Sequence, residues 1–385
     1  MRILRLSSKE IQKLCGRYYC NKKRVTEKVG RIVNDIRENG DKALLKYTRK
    51  FDKVKLSAKD LRVSANEING AYQNIDTDFI EELKKIISNI EKFHRRQLPK
   101  AWKIKKSEGV RLGEIFRPVE TVGVYVPAGT APLVSSVYMS VLPARIAGVK
   151  RIILATPPGK SGNVNPYILA VANLLKVDEV YKMGGAQAIA AMAFGTKTVP
   201  KVDKIVGPGN DYVTEAKRQV YGYADIDMLA GPSEVVILAN HFSDKNYVLQ
   251  DMQAQAEHLK GLAILVTTSK KFAKAMRKET QKGYIVLAKN LEQAAEIINR
   301  IAPEHLEILI KRPNRVTKLI NNAGAIFIGP YSPVCIGDYV AGPSHVLPTG
   351  GTARFFSGLG VRSFLKGMHT ISYTKRALEK ESSAI

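Results

Sequence analysis

Thr121-Val-Gly-Val-Tyr-Val126, Arg151-Ile-Ile-Leu-Ala155, Glu179-Val-Tyr-Lys182 and Lys204-Ile-Val206 are short apolar runs rich in β-branched residues, and helical stretches at 166–175, 186–194 and 211–220 lie between and after them. Strand and helix alternating at this spacing imply right-handed crossovers, hence parallel strands with helices on both faces. The pattern continues outward through candidate strands at 234–238, 263–266, 285–288, 306–310 and 325–328, with a further helix at 245–257. So many strands exceed one comfortable sheet, and the chain reads as an α/β protein of two domains. Ligands in such folds bind beyond the carboxyl ends of strands, where the loops here are rich in Gly and Pro.

Upstream the texture is helical. Val25, Val29, Ile32, Val33 and Ile36 fall at helical spacing, with Gly40 as the expected stop. Ser64-Ala-Asn-Glu67 is a capping box that opens another helix. Phe79, Ile80, Leu83, Ile86, Ile87, Ile90 and Phe93 share one face of a long amphipathic helix at 76–96. His94, beside that stripe and next to Arg95 and Arg96, reads as a solvated helix-end histidine.

A chain of 385 residues, 45% hydrophobic and 25% charged, has the composition of an ordinary globular protein and excludes disorder, collagen and coiled coil. Its 61 Lys and Arg against 35 Asp and Glu leave a net charge of +26, which raises nucleic acid, anionic membrane or an acidic substrate as partners. The basic residues are spread out, in short clusters such as Lys22-Lys-Arg24 and Lys103-Ile-Lys-Lys106, with no nucleic-acid motif beside them. Three cysteines, at 15, 20 and 335, form no CxxC pair and point to a reducing compartment. The opening residues make no secretory signal and no long apolar run occurs, so a cytoplasmic protein without a membrane partner is expected.

The usual nucleotide signatures fail. Gly207-Pro-Gly209 sits between a strand and a helix, but Tyr212 occupies the third glycine position of GxGxxG. Gly159-Lys-Ser161 ends like a phosphate loop, yet Leu154 stands where its first glycine belongs. Histidine context says more. Gln255 and His258 are three apart at the end of one helix, where they either share a ligand or leave His258 to the helix dipole. With an Asp and a His from other strand ends, such a helix would complete a zinc-type site. Glu304-His305, before a strand read as alternating, fits paired proton acceptors or a strand-end ion pair.

The run Ile226-Asp-Met-Leu-Ala-Gly-Pro-Ser-Glu234, continued in Asp251-Met-Gln-Ala-Gln-Ala-Glu-His258, resembles the signature of the histidinol dehydrogenase family. Collinear blocks extend the resemblance from about residue 25 to the C-terminus, among them Val122-Gly-Val-Tyr-Val-Pro127, Gly184-Gly-Ala-Gln-Ala-Ile-Ala190, Pro303-Glu-His-Leu306, Gly337-Asp-Tyr339 and Ser344-His-Val-Leu-Pro-Thr349. The resemblance implies oxidation of L-histidinol to L-histidine by NAD through a bound histidinal, the last step of histidine biosynthesis. It implies a homodimer of chains with two Rossmann-like domains lacking the glycine fingerprint, and one zinc per subunit held by Gln255, His258 and Asp338. By the same implication Glu304 and His305 are the proton acceptors. Tyr125, Gln187 and Asn210 contact NAD. Ser233, His345, His305 and the zinc ligands contact substrate.

The implied division is an N-terminal arm (1–24), a first α/β domain (25–124 and 234–359) with the metal and catalytic residues, a second (125–233) with the NAD contacts, and a remnant of a C-terminal arm (360–385). Family members continue into a segment that carries a substrate-binding Glu and a fourth zinc ligand, so a truncated arm is expected here; His369 falls in the preceding connector. Two lesser departures are a missing helical insertion between Lys278 and Tyr284, and Ala302 in place of the usual Gly. Three functions follow: a working dehydrogenase, a truncated or degenerate homologue with an impaired zinc site, and, from a different class, a basic nucleic-acid-binding protein. The missing motifs set the last aside, and no nucleic-acid partner is expected.

Overall fold

The computed structural model describes residues 2–4, 9–16, 22–73, 75–128, 133–257, 261–279 and 282–384. The first part runs β1 (Arg2–Leu4), α1 (Lys9–Cys15), α2 (Lys23–Tyr47), α3 (Ala65–Tyr72), α4 (Thr77–Arg95), β2 (Trp102–Lys105) and β3 (Arg111–Pro118). The middle alternates: β4 (Thr121–Tyr125), α5 (Val134–Ala147), β5 (Arg151–Thr156), α6 (Pro166–Leu174), β6 (Glu179–Lys182), α7 (Gly185–Phe194), β7 (Lys204–Val206), α8 (Asp211–Val220) and β8 (Asp225–Ile226). The alternation resumes with β9 (Glu234–Leu238), α9 (Lys245–Glu257), β10 (Leu262–Thr267), α10 (Lys270–Glu279), β11 (Tyr284–Leu287), α11 (Leu291–Ile301), β12 (His305–Ile308), α12 (Pro313–Thr317), β13 (Ala325–Ile328) and α13 (Val334–Tyr339). The chain closes with β14 (Leu365–Ser372) and α14 (Lys375–Glu381).

Two parallel sheets result, ordered β6-β5-β4-β7-β8 and β1-β11-β10-β9-β12-β13. Each has helices on both faces, so β9 and β12 are buried at every position. The strand at Glu304-His305 is therefore not an alternating one: it lies between β9 and β13 with no solvent face. The capping box forms as expected, Ser64 N–H donating to Glu67 Oε2 at 2.9 Å and Glu67 N–H to Ser64 Oγ at 3.3 Å. Gly40 does interrupt the first long helix, with φ 50° and ψ −128°, but the chain resumes helix to Tyr47.

His94 corrects its expectation. It is fully buried, its Nδ1 3.0 Å from Gln97 Oε1, because the segment at Gly360-Val361 folds over the end of α4 and Val361 N–H donates to the same Gln97 oxygen. Burial holds its pKa below the usual imidazole value.

Packing groups the chain differently from the expected boundaries. Val29, Ile32 and Ile36 of α2 join Ile153 and Ile189, and Leu83 and Ile90 of α4 join Val122 and Val141, so the helices of residues 23–95 belong with the five-stranded sheet. β1 is a parallel edge strand on β11, so the N-terminal arm belongs to the six-stranded sheet. A third sheet, β14-β3-β2, is antiparallel, and β14 pairs with β3 over all eight of its residues. Residues 365–372 are thus a built part of the fold. Among the described residues no helix is long and apolar enough to cross a membrane.

Candidate active site

Parallel pairing sets His305 opposite Val235, which brings Ser233-Glu234 and Glu304-His305 together at the amino edge of the six-stranded sheet. The crossover helix α9 runs back against the strands, so Gln255 in its last turn returns to that same edge. Facing it are Gly207-Pro208-Gly209 and Asp227, which follow β7 and β8 at the carboxyl edge of the other sheet. Between them lies a cleft of about 470 Å³ lined by Ser233, Gln255, Glu304, His305, Asp338 and His345. The expected placement beyond strand carboxyl ends therefore holds for one sheet and is reversed for the other.

His305 is buried, and its Nδ1 is 3.2 Å from the Glu234 carbonyl. A carbonyl only accepts, so the proton sits on Nδ1 and Nε2 is the end left to exchange one. That Nε2 lies 3.6 Å from Asp338 Oδ1 and, among the described residues, makes no hydrogen bond. Burial alone would depress this imidazole, but the Glu304 and Asp338 carboxylates outweigh it and lift its pKa to about 9. Glu304 Oε2 lies 3.7 Å from His305 Nδ1 and accepts from Glu234 N–H at 3.1 Å and from the Ser233 hydroxyl. Burial pushes its carboxyl up to about 7 against the pull of His305.

Asp338 is delivered by the short helix α13. A Cβ at Gly337 would stand 2.6 Å from two ring carbons of Phe327, so only glycine lets α13 lie this close to β13. The Asp338 carbonyl accepts from His345 Nδ1–H at 2.9 Å, and burial lowers the His345 pKa.

Tyr125, Gln187 and Asn210 do not line the cleft. Tyr125 and Gln187 are buried at the carboxyl end of β4 and the start of α7, where Gly185 N–H donates to the Tyr125 hydroxyl at 3.0 Å and Gln187 Nε2 donates to Asp52 at 3.3 Å. Burial raises Asp52 to about 6. Asn210 caps α8, its Oδ1 accepting from Tyr212 N–H and Val213 N–H, and it directly follows the Gly207-Pro208-Gly209 loop. That loop is pinned from below. Gly207, at φ +117°, donates its N–H to Asp227 Oδ2, while the buried Lys217 ammonium pairs with Asp227 and donates to the Gly207 carbonyl at 3.0 Å.

Among the described residues no group of three or more His, Cys, Asp or Glu is placed to hold a metal. Two of the expected ligands, Gln255 and Asp338, line the cleft, and His258 lies outside the described residues. Gln255 is buried, and among the described residues its amide nitrogen has no hydrogen-bond partner. An amide can be turned to present either end, so this orphaned polar group beside a carboxylate fits an oxygen-donating role toward a cation. Sequence reasoning missed Glu234, Asp227, Gly337 and the buried Glu307. Only Glu307 carried a visible signal, two residues beyond His305 and hence on the same strand face.

The family model described as "Histidinol dehydrogenase" matches residues 16–385. A histidinol dehydrogenase of Listeria innocua is 49% identical over 380 residues, covering 94% of this chain and 88% of the relative. One from Caldanaerobacter subterraneus is 46% identical over 385 residues, covering 95% and 89%. The crystal structure of histidinol dehydrogenase from Elizabethkingia anophelis superposes with a TM-score of 0.93 at 38% identity, covering 100% of this chain and 93% of that one. The expectation of a truncated arm finds no support in this coverage.

Proposed function

The chain belongs to the histidinol dehydrogenase family, and from that premise we propose that this oxidoreductase of histidine biosynthesis converts L-histidinol to L-histidine in two NAD-dependent steps, with histidinal held in the cleft between them. The observation that carries the reading is the adjacent, buried pair Glu304 and His305 opening on one cleft, both with shifted pKa values.

Hydride departure from an alcohol carbon requires that the hydroxyl proton leave as well. His305, with Nδ1 held by the Glu234 carbonyl, takes that proton on Nε2. The Glu304 and Asp338 charges favour imidazolium, and Asp338 would favour it less if its carboxylate engaged a bound cation. The aldehyde must then be hydrated before a second hydride can leave. Glu304, raised by burial, accepts the proton of the attacking water and is held in place by Ser233 and Glu234 N–H. Gln255, His258 and Asp338 would hold one zinc per subunit, which supplies a Lewis acid that orients the amino and imidazole groups of the substrate. Ser233 and His345 complete the substrate contacts. Tyr125, Gln187 and Asn210, the last directly after the loop 207–209, would contact NAD, the hydride acceptor.

A homodimer is part of the reading: one face of the β14-β3-β2 sheet exposes Trp102, Ile104 and Ile371, an apolar surface suited to a second copy. So is a cytoplasmic location, with Cys335 as an exposed free thiol.

The test is NADH formation from L-histidinol by the purified full chain, with and without zinc, for wild type and His305→Gln. Zinc-dependent NADH formation that the variant loses is expected; a wild type as inert as the variant sinks the proposal.

A further inference from the structure

We propose that Glu307 and Asp251 are positioning residues that together lock α9 and α13 onto β12, so that Gln255, Asp338 and His305 meet at one place. The inference rests on the reading of Gln255 and Asp338 as zinc ligands given above.

Glu307 follows His305 by two residues on β12, so both side chains leave the same face of the strand. It is fully buried. Its Oε1 accepts from Val334 N–H at 3.2 Å. Val334 is the first residue of α13, whose N-cap is Pro333, a residue with no side-chain acceptor; Glu307 reaches across from the sheet to satisfy an amide that would otherwise be orphaned. Four residues further along α13 is Asp338. The carboxylate thus fixes the start of the helix that carries it, while Gly337 against Phe327 fixes the middle.

The second oxygen, Oε2, meets no N–H or hydroxyl donor among the described residues. The Glu307 carboxyl also meets that of Asp251, on α9 one helical turn before Gln255. A fully buried carboxyl touching a half-buried one disfavours ionisation of both, so one proton joins them as O–H···O⁻. Burial and this mutual repulsion push Glu307 up to about 8, and burial raises Asp251 as well. A buried carboxyl such as that of Glu307 is costly unless its bonds are made, and here the bonds span three elements. Each of those elements carries one group of the site.

The test compares Glu307→Gln, Glu307→Ala and Asp251→Ala with wild type. Glutamine keeps both links, its amide oxygen accepting from Val334 N–H and its amide N–H donating to Asp251. Zinc affinity is measured by competition with a chromophoric chelator, backbone hydrogen exchange is followed over residues 334–339, and kcat and the KM for NAD are determined separately. The two alanine variants are expected to bind zinc about 10- to 100-fold more weakly. Glu307→Ala also exchanges faster over 334–339, and in both variants kcat falls while the KM for NAD stays put; Glu307→Gln matches wild type throughout. Wild-type zinc affinity and exchange in the alanine variants overturns the proposal, as does Glu307→Gln losing as much as alanine. Should Glu307→Ala not fold, Asp251→Ala removes the same link from its less buried end. A wild type that makes no NADH from histidinol defeats the proposed function instead, and exchange over 334–339 still decides the clamp.

Discussion

His305 Nε2 lies 3.6 Å from Asp338 Oδ1, while His305 Nδ1 is tied to the Glu234 carbonyl at 3.2 Å. The imidazole is held at one end by backbone that cannot give up its place, and meets at the other a carboxylate that also belongs to the expected zinc set. The two residues should therefore fail in different ways when replaced. His305→Gln is expected to lower kcat by about 100- to 10,000-fold while zinc stays bound. Asp338→Asn is expected to weaken zinc retention by about 10-fold or more. Metal content after dialysis, measured beside steady-state kinetics, separates them.

The Lys217–Asp227 pair beneath the loop 207–209 is almost completely buried, with Asp227 also accepting from Gly207 N–H and Met228 N–H. Removing one member strands the other charge in the interior. Lys217→Met or Asp227→Asn should each cost about 3–5 kcal/mol of stability, and the double variant less than the sum. Urea unfolding of the single and double variants checks this.

Ala302 ends α11 in the left-handed region, at φ 49° and ψ 63°. An L side chain is strained there by about 1–2 kcal/mol, part of which a glycine returns through the freer unfolded chain. Ala302→Gly should raise stability by about 1 kcal/mol with kcat unchanged, readable from the denaturation midpoint.

His94 titrates below its unfolded value because burial disfavours the charged ring. The unfolded chain takes up this proton first as pH falls, so the stability tied to the neutral ring is complete above the unfolded value near 6.5 and is lost as pH drops from there through the folded value. Replacing His94 by Gln should remove that acid-side slope between pH 7 and 5 in thermal melts. A slope equal in both proteins would refute the assignment.

Much of the fold was legible because parallel strands buried on both faces leave an unambiguous mark, continuous apolar runs between helices; β6, β7 and β9 fall at the expected residues, as do α8, α9 and the edge strand β13. The antiparallel sheet was not. β2 and β14 are largely exposed, so no buried stripe marks them, and the pairing of β14 with β3 joins residues about 250 apart in the chain, as in Leu365 opposite Pro118. His94 was misread for a related reason: local sequence shows a helix end among arginines but not the distant Gly360 segment that covers it.

Local sequence determined the residue types of the site, Glu304-His305 on one run and Gln255 at one helix end, because adjacency and helical spacing are properties of the chain itself. Which of them meet was decided only by the tertiary structure. Strand order sets β9 beside β12, the returning α9 carries Gln255 to the amino edge, and Gly337 against Phe327 lets Asp338 approach His305. Most of those contacts join residues dozens of positions apart, as Asp338 with His305, and are made by packing that no single segment encodes.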